Sequence, residues 1–187
     1  MNWALSKEQY YTYEDWLAID DGRRYELING ILYMMASPSD IHQEISFEIS
    51  RQIGNFLVGK PCRIYPAPFD VRLHKDGDTV FQPDILVVCD HSKISKNGCN
   101  GAPELIIEVL SPSTSRYDRF TKFYEYLRAG VPEYWIVDPN DKTVSAYRLI
   151  DKKYTADIYS DTDMAPVQVL PGCEIELSLV FREENNI

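Results

Sequence analysis

Two acidic residues stand where the chain is otherwise patterned for burial. In PELIIEVL, alternation puts Ile106, Glu108 and Leu110 on one face and Leu105, Ile107 and Val109 on the other. Both faces are apolar, the pattern of a central strand covered on both sides, where an unpaired carboxylate at Glu108 is costly. Asp84 opens a second apolar run and shares a face with Leu86 and Val88. On neighbouring strands the two acids would offer hard oxygen ligands to a divalent cation. The plainer alternative for each is a solvated strand end or a pairing with arginine. Beyond Glu108, Asp118, Lys122 and Tyr126 recur at i, i+4 and i+8 and form a polar stripe on a helix. Such a stripe is ordinarily a solvated face. If that helix packs back along the Glu108 strand, however, the Lys122 ammonium reaches the acids and can polarise a phosphate oxygen or position a metal-bound water. His42, in the first turn of a long helix, and Glu26, between Tyr25 and Leu27 in a hairpin strand, are further candidates. A lone His at that place is more often a helix-start residue than a ligand, and Glu26 by itself is ambiguous. The SPSTS loop opens a helix N-terminus near Arg116 and Arg119, which suits an anion or ordinary capping.

The elements that must position these groups follow from periodicity. A short opening helix has Thr12 as N-cap with Asp15 three residues on, and it ends by Asp21-Gly22. YELI-NG-ILYMM reads as a hairpin, because Asn29-Gly30 accepts positive φ at both turn positions. From about Ser39 to Leu57, Ile41, Ile45, Ile49, Ile53 and Leu57 recur every four residues, with Phe56 widening the stripe of an amphipathic helix. CRIY, PFDVRLH, VFQPDILVV, PELIIEVL and EYWIVD read as strands. A helix over about 115–128 has Tyr117, Phe120, Tyr124 and Leu127 as its expected apolar face and Gly130 at C′. The strand–helix–strand order around it predicts a parallel crossover. From Thr143 onward the pattern is of β-hairpins. The expected class is α/β (α+β mixed): one domain over 1–187, with a central mixed sheet flanked by helices and additional hairpins at both ends.

Composition narrows the function classes. With 187 residues, 44% hydrophobic and 26% charged, the chain suits one globular core and excludes disordered or collagen-like classes. Asp and Glu number 29 against 19 Lys and Arg, a net charge of -10 that excludes nonspecific coating of nucleic acid or an anionic membrane. Cys62, Cys89, Cys99 and Cys173 form no C-x-x-C pair, and His42, His74 and His91 give no zinc-finger spacing. Four free thiols in a soluble, cytoplasmic protein are therefore expected. Neither a signal-peptide core nor a run of ~20 apolar residues is found, so no membrane association is expected.

The segments QPDILVV, LIIEVLSPST and DRFTKFYEYLRAGVPEYWIVDP, in that order, resemble the stand-alone bacterial "putative restriction endonuclease" family of the PD-(D/E)XK nuclease superfamily. The resemblance extends over nearly the whole chain, including YELINGILYMM and the His42 position. It implies a restriction-endonuclease-like fold and a metal-dependent endonuclease acting on DNA. Asp84 and Glu108 would bind Mg2+, with Mn2+ as an alternative and the Val109 carbonyl as a further ligand. The superfamily's lysine normally stands two residues after the second acid, where this chain has Leu110. The resemblance implies a variant whose lysine has moved to the following helix, at Lys122. Glu26 and His42 match positions near the same cleft, and Asp118 and Tyr126 remain accessory candidates. DNA binding is expected to be weak and salt-sensitive because of the acidic ends, and a homodimer is the simplest way to cut two strands. The rival readings are a catalytically inactive nuclease-fold binding or regulatory domain, and a structural β-rich subunit in which Asp84, Glu108 and Lys122 lie apart.

Overall fold

The computed structural model describes residues 9–111 and 118–182. Helix α1 (Tyr13–Leu17) starts at the expected capping box, with the Thr12 and Asp15 side chains each accepting from the other residue's backbone N–H. Strands β1 (Tyr25–Ile28) and β2 (Ile31–Met34) form the expected hairpin, with φ of 48° at Asn29 and 77° at Gly30. Helix α2 (Asp40–Leu57) is capped by Ser39 and buries Ile45, Ile49, Ile53 and Leu57, while Ile41 at its open end faces outward.

Strands β3 (Arg63–Pro66), β4 (Val71–Arg72), β5 (Val80–Phe81) and β6 (Ile85–Val88) follow. The single strand expected over VFQPDILVV is broken at Gln82-Pro83-Asp84, and its halves enter different sheets. Proline has no N–H to extend a ladder, so the break falls where pairing must lapse. Next come β7 (Ile94–Ser95), β8 (Gly98–Asn100) and β9 (Leu105–Val109). A π-turn over Asp118–Lys122 then leads into α3 (Phe123–Ala129), which ends at Gly130 with φ 78°. Strands β10 (Glu133–Asp138), β11 (Thr143–Ile150), β12 (Lys153–Ser160), β13 (Met164–Val167) and β14 (Cys173–Glu176) lead to a last turn of helix, α4 (Leu177–Val180).

One six-stranded sheet has the order β2-β1-β5-β4-β8-β7 and the other β12-β11-β10-β9-β6-β3; β13 and β14 pair separately. Strands β9 and β10 are parallel neighbours, as the crossover required, and β6, β9 and β10 are buried along their whole length. One face of the second sheet packs Ile85, Ile107 and Val109 against α2 and the β13–β14 hairpin. Its other face packs Leu86, Ile106 and Ile136 with Tyr126 of α3 and Val71 and Phe81 of the first sheet. The architecture is the expected mixed α/β one.

Two further expectations are corrected. Phe120 and Tyr124, assigned to the apolar face of the helix, are 60% and 62% exposed, whereas Lys122 and Tyr126 of the polar stripe are buried. The i→i+5 turn shifts the phase at which residues meet the sheet, and the buried polar tips find partners there. Tyr117 and Arg116 lie outside the described residues. The cysteines are not all free: Cys62 and Cys89 form a disulfide, and Cys99 and Cys173 are buried thiols. The antiparallel register Arg63↔Val88 extends to set Cys62 across from Cys89, a proximity made only by folding. Among the described residues no helix is long and apolar enough to cross a membrane.

Candidate active site

The antiparallel register Ile85↔Ile107 carries Asp84 to the position opposite Glu108. Opposed residues in such a pair project to the same face, so the two acids share one end of the sheet. Asp84 sits where the chain leaves one sheet and enters the other. Its Oδ2 accepts the Val109 N–H at 2.8 Å and lies 3.1 Å from His42 Nε2. His42 is held there because the Ser39 hydroxyl accepts its backbone N–H and starts α2 at this point. The Asp84 and His42 side chains retain 18% and 13% exposure, so this end of the site is reachable from solvent.

Glu108 is deeper. Its Oε1 accepts from Lys122 Nζ at 2.9 Å and from the Tyr126 hydroxyl at 2.7 Å. The same ammonium stands 2.9 Å from Glu26 Oε1, which also accepts the Gln82 N–H at 3.0 Å. Lys122 thus bridges two buried carboxylates delivered by strands of different sheets. Removing these charges from water is costly, and opposite charge with further hydrogen bonds to the oxygens offsets that cost. Burial and then the Glu108 charge hold the Tyr126 phenol well above its ordinary range, so it remains a proton donor to the carboxylate. The Phe81 ring, centred 5.8 Å from Nζ, closes one side.

Asp84, Glu108, Lys122, Glu26, His42 and Tyr126 are therefore brought together, and the reading of an assembly subunit with these groups dispersed falls. Asp118 lies in the π-turn, and its side chain is outside the described residues. Val109 enters the site through its peptide N–H. Sequence reasoning missed Gln82, which ties the site together: its N–H serves Glu26, its Nε2 donates to Asp70 Oδ1 at 2.9 Å, and its Oε1 accepts from Arg24 at 3.1 Å. Its place immediately before Pro83-Asp84 was the available signal.

Among the described residues no group of three or more His, Cys, Asp or Glu side chains could hold a metal ion. The donor chemistry nevertheless fits Mg2+, which commonly takes one or two carboxylates and completes its shell with water and substrate phosphates. Asp84 and Glu108, at facing positions of one sheet, form such a pair, whereas Glu26 comes from the other sheet.

The family model Uma2, described as "Putative restriction endonuclease", matches residues 8–179. An uncharacterized protein of Synechocystis sp. (strain ATCC 27184 / PCC 6803 / Kazusa), slr1290, is 29% identical over 148 residues, covering 79% of this chain and 75% of that protein. A second from the same organism, sll1609, is 28% identical over 129 residues, covering 67% and 72%. A crystal structure described as "a putative nuclease belonging to DUF820" from Anabaena variabilis ATCC 29413 superposes with a TM-score of 0.75. It is 22% identical and covers 91% of this chain and 97% of that one, a likeness of fold.

Proposed function

The chain belongs to the Uma2 family, and on that premise we propose that it is a metal-dependent endonuclease hydrolysing DNA phosphodiester bonds. The observation that carries this reading is the contact of Lys122 with Glu108, directly across the sheet from Asp84. Asp84 and Glu108 would hold Mg2+ or Mn2+, with the Val109 carbonyl as a further ligand. Such a cation would lower the pKa of water and offset phosphate charge. Val109 N–H and His42 orient the Asp84 carboxylate, while Tyr126 and Glu26 hold Lys122 and Glu108 in place. Lys122 orients the attacking water or donates to the phosphate oxygens as negative charge grows on them. Two copies of the single domain, one per strand, are the proposed assembly.

The test is metal-dependent cleavage of DNA by Asp84→Ala, Glu108→Ala and Lys122→Ala, with circular dichroism confirming that each remains folded. All three are expected to lose cleavage. Undiminished cleavage in Glu108→Ala overturns the assignment.

The burial of Lys122 between Glu26 and Glu108, as in a structural ion-pair network, suits a second reading, a nuclease fold kept for binding without turnover. Thermal melting separates the two. A rise in Tm with millimolar Mg2+ or Mn2+, lost in the Asp84 and Glu108 variants, supports the metal site. No rise supports the binding domain.

A further inference from the structure

An open cavity of about 420 Å³ lies beside the acid–lysine cluster, and Gln82 lines both. Its other walls include Trp16, Arg23, Arg24, Asp70 and Lys96. Three cations thus face one carboxylate in a chain whose net charge is -10. Neither Arg24 nor Lys96 is ion-paired to a carboxylate among the described residues, and Arg24 bonds the Gln82 amide instead. The Trp16 indole is fixed by its Nε1–H bond to the Tyr25 carbonyl at 2.9 Å. Asp70 and Gln82, bonded to each other at 2.9 Å, place an acceptor and an amide in the wall. The cavity therefore combines the three features that a nucleotide requires: cations for phosphate, an aromatic ring for stacking, and polar groups for a base edge. Its volume lies within the ordinary range of small-ligand sites.

We propose that this cavity binds one nucleotide of the substrate strand, next to the phosphate presented to Asp84 and Glu108. The proposal rests on the nuclease reading for the identity of the ligand. The placement follows from the chain itself, since Gln82 precedes Asp84 by two residues, a reach of at most about 7 Å of chain. That spacing suits consecutive units of one strand. Arg24 and Lys96 take the phosphate, Trp16 stacks on the base, and Asp70 with Gln82 reads its edge.

Binding is measured in EDTA by tryptophan fluorescence, so no turnover is needed and failure of the catalytic reading is seen separately in the cleavage assay. The probes are a short single-stranded oligodeoxynucleotide, dCMP and inorganic phosphate. The oligonucleotide is expected to bind saturably and at least about tenfold more tightly than phosphate. Arg24→Gln and Asp70→Ala, checked for folding by their melting curves, should each weaken it on the order of tenfold. Lys152→Gln, in the exposed β11–β12 turn, should not. Phosphate binding as tightly as the oligonucleotide overturns the nucleotide assignment. Binding of dCMP without the oligonucleotide overturns its placement on a strand, and equal affinity in Arg24→Gln and wild type overturns the site.

Discussion

Lys122 is the residue on which the proposed chemistry and the local stability both depend. Its ammonium sits between Glu26 and Glu108, each 2.9 Å away and each nearly excluded from solvent. Truncating it leaves two buried carboxylates facing each other, so Lys122→Ala should lower stability by about 3–5 kcal/mol besides removing cleavage. Chemical denaturation reads the first effect, and a loss below about 1 kcal/mol would mean that water already screens the pair. Asp70 offers a pH test. Burial holds its carboxyl above the ordinary range, against a smaller lowering by the Gln82 bond. The folded chain therefore keeps that proton to higher pH than the unfolded chain does. The associated stability is fully present below about pH 3.9, the unfolded value, and is lost as pH rises through the native one. Asp70→Asn avoids this loss, so its Tm advantage over wild type should grow from acid to neutral pH. A difference in Tm that does not change with pH would refute the account.

At the scale of elements, the site depends on where strands stop. The break at Gln82-Pro83-Asp84 ends β5, starts β6, and leaves Asp84 projecting at the seam between sheets. The short β4–β8 pairing supports the same seam, with the Cys99 N–H donating to the Asp70 carbonyl at 2.8 Å. Gly98 permits that approach: it has φ 108°, and a Cβ there would meet the Asp70 carbonyl oxygen. Backbone cannot swing aside as a side chain can. Gly98→Ala should therefore cost about 2 kcal/mol or more, in conformational strain plus collision. Gly130, with φ 78° at the end of α3 and nothing near its would-be Cβ, should cost only the strain, about 1 kcal/mol. Equal melting temperatures for the two alanine variants would deny the close approach.

Across the whole molecule, charge is unevenly spread. Residues 61–130 hold nine basic and nine acidic groups, whereas 1–60 and 131–187 hold five basic each against nine and eleven acidic. The candidate site is thus built mainly from the electrically neutral part of an acidic chain, with Glu26 and His42 supplied by the acidic N-terminal part. On the nuclease reading, DNA affinity should be weak and fall steeply as salt is added, because a few local cations work against a repulsive background. Affinity undiminished above physiological salt, measured by fluorescence anisotropy, would show that contacts other than these few cations dominate.

Asp84 and Glu108 were visible in the sequence because a charge inside an apolar run breaks a pattern that solvation alone enforces. The hairpin at Asn29-Gly30, the α2 stripe and the caps at Thr12 and Gly130 were legible for the same reason: each depends on neighbours a few residues away. The inward face of the helix after Glu108 was not, since the π-turn changes the phase and Lys122 is paid for by Glu26, which belongs to another sheet. Nor was the bond between Cys62 and Cys89, which the β3–β6 register alone creates. Local sequence set which groups could do chemistry and which segments could order. Tertiary structure decided which of them meet, because the energy of a buried charge depends on partners that lie far away along the chain.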